Sequence, residues 1–396
     1  MLTTPVPLVS RMKTIELFAG AGGLALGTAK AGFHHDAILE SNHDACDTIR
    51  ENQRRGVKPV ADWPLHEVDV RKFDFRPLEG VDLVAGGPPC QPFSIGGRHR
   101  GPNDPRNLFP EIVRAVRETR PRAILIENVR GLLRPAFSRF FEYVILQLGF
   151  PDVLQKSGET WLSHLTRLER HQTRGTQKGL RYNVVFQSLN AADYGAPQKR
   201  FRVLIVGFRA DLRLPWSFPV PTHSHDALLY SKFVTGEYWK SHKVSTRQRP
   251  SAPDRLVHRV EALKSRLLPP SEVPWVTVRD ALLGLPEPTS SPSKRVPNHI
   301  LNPGARVYSG HTGSPLDEPA KALKAGDHGV PGGENMLAYP SGKVRYFTVR
   351  ESARLQTFPD DYAFRCSWSE AMRQLGNAVP VRLAEVIAKS IATRLT

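Results

Sequence analysis

The nine residues Gly86-Gly87-Pro88-Pro89-Cys90-Gln91-Pro92-Phe93-Ser94 constrain this chain more than any other stretch. They follow the short apolar run Val81-Asp82-Leu83-Val84-Ala85, which reads as a buried strand. Two glycines let the backbone turn sharply, and two prolines then fix it. Cys90 is therefore expected to project from a rigid turn at a strand's carboxyl end, where open α/β sheets bind their ligands. A thiol held there is placed for nucleophilic attack. By itself a cysteine in a turn reads as a small buried hydrophobe, so the rest of the pattern has to decide.

Four more segments share the strand-to-turn form. Thr14-Ile15-Glu16-Leu17-Phe18 runs into Ala19-Gly20-Ala21-Gly22-Gly23 and a helical pattern through Lys30. Ala37-Ile38-Leu39-Glu40, Arg122-Ala123-Ile124-Leu125-Ile126-Glu127 and Val203-Leu204-Ile205-Val206-Gly207 read as further strands. This rhythm predicts an α/β fold with a mostly parallel sheet wrapped by helices. After about Asp211 prolines cluster, helical periodicity fades and basic residues accumulate, among them Lys240, Arg247, Arg249, Arg255 and Arg259. A helical pattern returns from Val381 to Arg394. The expected organisation is an α/β domain over residues 1–210, a small irregular domain over 211–369, and a segment 370–396 that completes the first. No internal repeat is visible.

The formal charge of +17 over 396 residues suits a polyanionic partner, DNA or RNA. Cys46, Cys90 and Cys366 lie too far apart for paired metal spacing or a disulfide framework, which implies a reducing, cytoplasmic setting and no metal. No apolar run is long enough to span a membrane. Met1 to Arg11 lacks the apolar core of a signal peptide and reads as a short tail, with Met12 as an alternative start.

The turn Phe18-Ala19-Gly20-Ala21-Gly22-Gly23-Leu24 reads as a nucleotide-type cofactor loop. Its glycines allow close backbone approach, and the following helix N-terminus favours an anionic group. A dinucleotide phosphate or the carboxylate of S-adenosyl-L-methionine fits it equally. Glu40, closing the next strand, is placed for a ribose hydroxyl pair. Asp69, in Val68-Asp69-Val70, is placed for an adenine amino group.

Together with Glu127-Asn128-Val129-Arg130-Gly131, Gln198-Lys199-Arg200-Phe201-Arg202, Arg350-Glu351-Ser352-Ala353-Arg354-Leu355-Gln356 and Gln374-Leu375-Gly376-Asn377-Ala378-Val379-Pro380, the Cys90 stretch resembles the ordered motifs of DNA (cytosine-5)-methyltransferases. The resemblance runs from Glu16 to Pro380 and points to bacterial restriction–modification enzymes. It implies a Rossmann-like, adenosylmethionine-dependent methyltransferase domain, a small target-recognition domain over 211–369, and methyl transfer to C5 of a cytosine flipped out of duplex DNA. The catalytic set it implies is Cys90 adding to C6, Glu127 at N3, and Arg202 at O2 with Arg200 nearby. Strand alternation would put both arginines on one face, and an apolar closed site would push the Glu127 carboxyl towards general-acid range. The cofactor set it implies is Phe18, Gly20, Gly22, Gly23, Leu24, Glu40, Asp69, Pro89 and Asn377. A DNA-associated monomer with a cognate restriction endonuclease, in restriction–modification or phage defence, would follow.

Three departures stand out. Ser41 lies where some relatives stack a bulky group on adenine. Ala322 lies where recognition domains usually carry threonine. Asp152 to Arg181 is longer than the connection in compact relatives, and is expected to be either a disordered loop or an extra DNA or partner contact. The glycine- and charge-rich loop from Ile95 to Arg106 is expected to close over the base. Base readout is expected from the loop Ser309 to Asn335, with its polar His311, Asp327, His328 and Asn335. Two rivals share the motifs. A cytosine-5 tRNA methyltransferase would carry a Cys-Phe-Thr signature, which Phe364-Arg365-Cys366-Ser367 does not match. A non-catalytic DNA-binding regulator would not need Cys90, Glu127 and Arg202. A nicotinamide enzyme fits the glycine loop alone.

Overall fold

Apolar runs closed by turn residues become the strands of one seven-stranded sheet. The computed structural model describes residues 11–89, 107–174, 179–309, 311–325 and 335–396. The chain divides into two compact units: Met1–Leu189 with Phe201–Phe218 and Ala384–Thr396, and Asn190–Arg200 with Pro219–Leu383.

In the first unit the strands are β1 (Lys13–Leu17), β2 (His34–Glu40), β3 (Leu65–Glu67), β4 (Leu83–Gly86), β5 (Ala123–Val129) and β6 (Tyr182–Asn190); a two-residue strand of the second unit, β7 (Gln198–Lys199), precedes β8 (Phe201–Arg209). The sheet order is β3-β2-β1-β4-β5-β8-β6. Pairing is parallel from β3 through β5 and antiparallel between β5 and β8. The chain moves outward from β1 to β3 and then restarts on β1's other side with β4. That reversal is a switch point, and ligands of such sheets bind beyond the strand ends beside it. The two glycine-rich turns, after β1 and after β4, both lie there.

Strands buried on both faces read as continuous apolar runs. Ile15, Leu17, Val84, Ile124, Ile126 and Ile205 are fully buried in one core with Phe109, Ile112, Phe140 and Leu165. Each such side chain contributes about 1.5–3 kcal/mol on burial. Helices α1 (Gly23–Lys30), α2 (His43–Arg54), α3 (Phe109–Thr119), α4 (Ser138–Gly149) and α5 (Trp161–Thr173) pack around the sheet.

Residues 152–174 are not the disordered loop expected as one reading of the segment Asp152 to Arg181. Thr160 caps α5 by accepting from the Ser163 N–H, and Leu165 and Leu168 are buried in the core. His164 is held between the Tyr143 hydroxyl, at 2.8 Å, and the Val153 carbonyl, at 2.7 Å. The spacing of Trp161, Leu165 and Leu168 is the helical signal that polarity masked.

The second unit contains short helices and two- or three-residue strands. Helices α6 (His225–Phe233) and α7 (Glu237–Ser241) bring Leu228, Tyr238 and Trp239 into a small core. Lys232 is buried, with its ammonium on the Asp317 carbonyl at 2.9 Å and Glu318 at 3.1 Å. The later helices include α8 (Asp254–Lys264), α9 (Val278–Leu282), α10 (Val349–Leu355) and α11 (Trp368–Asn377). Thr348 and Glu351 form a capping box on α10. Arg350 is buried and donates to the carbonyls of Pro297, Pro359 and Tyr362, so this motif braces its own unit. Helix α12 (Val381–Leu395) runs from the second unit into the first.

Candidate functional site

The site is built where β1, β4 and β5 end. Gly86 has no room for a side chain, because a Cβ there would meet the Leu17 carbonyl oxygen at 2.9 Å. A Cβ on Gly87 would meet Glu127 Oε2 at 3.0 Å. The turn after β4 thus lies against the carboxylate that ends β5. Asn128 locks it there, its Nδ2 donating to the Pro88 carbonyl at 3.1 Å. Pro89 is half-buried and is the last described residue before Cys90. Cys90 and the loop Ile95 to Arg106 lie outside the described residues.

Glu127 and Arg202 meet across β5 and β8. Val129 pairs with Arg202 in the antiparallel register, so Glu127 is the diagonal neighbour of Arg202 on the same face. The Arg202 Nε lies 2.5 Å from Glu127 Oε1 with both side chains nearly buried. Arg202 Nη1 donates to the Phe201 carbonyl at 2.9 Å. A buried carboxylate and guanidinium need one another, because removing one partner leaves an uncompensated charge that costs about 3–5 kcal/mol. The apolar, closed surroundings expected for Glu127 therefore include a counter-charge.

Arg200 does not join this pair. It falls between β7 and β8, where the strand alternation is broken, and it belongs to the second unit. Its fully buried guanidinium donates to the Leu323 carbonyl at 2.9 Å, to Gln198 Oε1 at 3.3 Å, and to the Gly376 carbonyl. The shared face expected for Arg200 and Arg202 is therefore corrected: the two side chains have separate partners.

The turn after β1 carries unusual backbone. Phe18 has φ 60, Gly20 φ 54 and Gly22 φ 80. A left-handed phenylalanine is rare, and such outliers concentrate at ligand sites. Glu40 holds the turn: its Oε2 accepts from the Gly20 N–H at 2.7 Å, and its Oε1 from the N–H groups of Ser41 and Asn42 at 2.8 and 2.7 Å. Gly22 caps α1, and Gly23 and Leu24 open it, buried. The start of α1 and a fixed carboxylate make a cradle for a small ligand with an anionic end and hydroxyls.

Asp69 is less available than expected. Its carboxylate takes the Arg71 guanidinium at 2.6 Å and the Arg71 N–H at 3.0 Å, and these bonds hold its pKa down to about 2. Ser41 is exposed. Asn377 ends α11, exposed, in the second unit. Beneath the β1 turn the structure adds a pair that sequence reading missed. Glu16 and His35 are buried, with Glu16 Oε2 3.8 Å from His35 Nε2. Burial pushes the Glu16 carboxyl well above its usual range and the His35 imidazole down to about 3. The His35 imidazole therefore stays uncharged near neutral pH, and the Glu16 carboxyl holds its proton to higher pH than an exposed glutamate does. Polar letters inside apolar strands were their only signal.

The family model for C-5 cytosine-specific DNA methylases matches residues 12–150 and 166–393. The chain belongs to this family. The unmatched residues 151–165 fall in the inserted segment that leads into α5. The Type II methyltransferase M.NgoMIV of Neisseria gonorrhoeae is 30% identical over 386 residues, covering 96% of this chain and 97% of its own. M.Eco47II of Escherichia coli, also a Type II methyltransferase, is 32% identical over 384 residues, covering 95% of this chain and 78% of its own. The solved Dnmt2 methyltransferase of S. pombe superimposes with a TM-score of 0.53 at 20% identity, over 97% of this chain and 98% of that one, which shows a shared fold. Family membership makes the protein a DNA cytosine-5 methyltransferase of Rossmann-like fold, with S-adenosylmethionine as methyl donor and double-stranded DNA as substrate. Among the described residues no group of His, Cys, Asp and Glu is placed to hold a metal ion, and no helix is long and apolar enough to cross a membrane.

Proposed function

We propose that this methylase acts on a cytosine flipped out of a short duplex site, through covalent addition of Cys90. The observation that supports this best is the Glu127–Arg202 pair set against the Gly87 turn, one short step along the chain from Cys90. A target atom inside the base stack is out of reach, so the nucleotide has to leave the helix, at a cost of about a few kcal/mol.

The Cys90 thiolate adds to C6 and forms a C–S bond. The electron pair of the C5–C6 double bond moves towards N3, where Glu127 holds the proton. Arg202 neutralises charge developing at O2 and keeps Glu127 oriented. S-Adenosylmethionine would supply the methyl group that C5 takes up, its S–CH3 bond breaking to leave S-adenosylhomocysteine. A base then removes the C5 proton, the C–S bond breaks, and Cys90 leaves as thiolate. Glu40, the Phe18–Leu24 turn and Asp69 fit the cofactor, with Pro89 and Asn377 as further contacts. Arg200, tied into its own unit, acts as a positioning residue.

The second unit reads the DNA site. Relatives named as Type II methyltransferases favour a restriction–modification setting, with a cognate endonuclease as partner.

Bisulfite sequencing of DNA from cells expressing the protein tests the reading. One short motif should be protected at one cytosine, and the Cys90→Ala variant should leave it unprotected. Purified Cys90→Ala should still bind duplex and cofactor. Methyl transfer by that variant at a substantial fraction of the wild-type rate would overturn the covalent route.

A further inference from the structure

Beside the Glu127–Arg202 pair, the ladder of β5 and β8 ends at Val129 and Arg202. Arg130 follows the last residue of β5, and Phe201 is the first of β8. The pair Val129–Arg202 precedes them in the register. The Arg130 guanidinium carbon lies 5.1 Å from the centre of the Phe201 ring, within cation–π range. Both side chains face solvent, Phe201 at 44% exposure. The Phe201 carbonyl at the same time receives Arg202. One residue thus connects the buried ion pair to an exposed cation.

Arg130 differs from several other arginines of its unit in lacking an acid among the described residues. Arg122 pairs with Asp82, Arg209 with Asp211, and Arg114 with Glu111 and Glu118. No such pair involves Arg130 among the described residues. A guanidinium carries its N–H groups in its own plane. Covering one face with a ring leaves that edge open and oriented, which is the geometry of bidentate phosphate recognition. An exposed phenyl ring beneath an unpaired arginine adds little to a core, and it reduces the freedom the arginine must lose on binding an anion.

We propose that Arg130, seated on Phe201, is a phosphate clamp for the DNA backbone beside the reacting base. It rests on the reading of Glu127 and Arg202 as the reacting site, and it adds a contact outside the residues assigned to catalysis or cofactor. A phosphate held at this edge fixes the strand next to the buried pair. The clamp thereby positions the flipped nucleotide without touching a base.

The test uses the full-length protein and a random-sequence duplex, with binding followed by fluorescence anisotropy from about 50 to about 200 mM salt. Removing one cation from a phosphate lowers the salt slope by about 0.9, so the affinity of Arg130→Ala should fall about 3.5-fold less across that range than wild type. Arg130→Lys should keep the slope and bind more weakly, because an ammonium lacks the fork. Phe201→Leu should also keep the slope and weaken binding. Adenosylmethionine affinity should not change in any of them. A wild-type slope in Arg130→Ala overturns the clamp, and so does a fall in melting temperature as that variant's only effect. Wild-type affinity in Phe201→Leu overturns the ring's part. Single-turnover methylation by Glu127→Gln separates the two readings. If that rate is normal the site assignment fails, while a changed Arg130 slope would still mark a phosphate contact.

Discussion

At the scale of single residues, chemistry and stability meet in two buried carboxyls with different partners. Glu127 faces Arg202 at 2.5 Å, whereas Glu16 has the uncharged His35 at 3.8 Å and a backbone hydrogen bond from Ala25. Glu127→Gln can still hydrogen-bond Arg202 and a cytosine edge but cannot hold an acidic proton. Its single-turnover rate should fall about 10²–10⁴-fold, the usual contribution of a positioned acid, with adenosylmethionine affinity unchanged. A near-normal rate would leave Glu127 as a structural partner of Arg202. Glu16 makes a prediction about stability. Its folded-state pKa is raised by burial, so the native state keeps a proton that the unfolded chain gives up above the ordinary value of 4.5. The unfolded state then binds fewer protons, and wild-type stability falls as pH rises above that value. His35 has the opposite sign: lowered to about 3 from 6.5, it removes stability as pH falls between those values. Glu16→Gln carries no ionisation cost. Its melting temperature should gain on wild type progressively from about pH 5 upward. A pH-independent difference would mean that Glu16 is ionised in the folded protein.

At the scale of elements, the sequence declares those whose physics is local. Ile15, Leu17, Val84, Ile124 and Ile205 belong to short apolar runs, and each lies in a strand within a few residues of where those runs place it. The glycine turns were legible for the same reason: Gly86 and Gly20 are positions where steric limits act on the residue itself. Most of what was not legible depends on a partner distant in sequence. Strand β6 has an exposed middle, with Val185 and Phe186 open to solvent, so neither alternation nor an apolar run marks it. The inserted segment read as polar because only one narrow stripe of α5 is buried. Arg200 and Arg202 look equivalent by spacing, yet the break between β7 and β8 sends one to the Leu323 carbonyl and the other to Glu127. Asp69 could not be seen to be engaged, because its partner is the short-range Arg71 in a turn of no particular pattern. Gly27 is a further case: a Cβ there would lie 2.7 Å from the Glu385 N–H, a close approach of α1 to α12 that no local pattern announces.

At the scale of the whole molecule, a charge of +17 has to be divided between contacts that hold any DNA and contacts that choose a sequence. Phosphate contacts give affinity and salt dependence, and base edges give specificity. The structure refines which cations of the second unit are available. Arg259 is bound to Asp226 and Lys264 to Glu261, whereas Arg247 and Arg255 are exposed with no acid partner among the described residues. Replacing Arg247 and Arg255 by alanine should weaken binding to all duplexes alike and lower the salt slope by about 0.9 for each phosphate left without its cation. The loop from Ser309 to Asn335 should behave differently, though Gly310 and residues 326–334, with Asp327 and His328, lie outside the described residues. Its far anchor is not a base reader as expected. Asn335 is buried and exchanges hydrogen bonds with the backbone of Lys324, so it has to be kept in any exchange. His311 is engaged by a backbone bridge to Tyr308, with the two rings 4.4 Å apart, and serves as the near anchor. A loop grafted from a relative between these anchors should stay active and move methylation to a different motif, because base contacts carry the sequence information. Methylation mapping on random-sequence duplexes reads both outcomes in one experiment. A graft that is active with an unchanged motif would place recognition elsewhere in the second unit. Arginine variants that change the motif rather than the overall affinity would mean that the two kinds of contact are not separable in this protein.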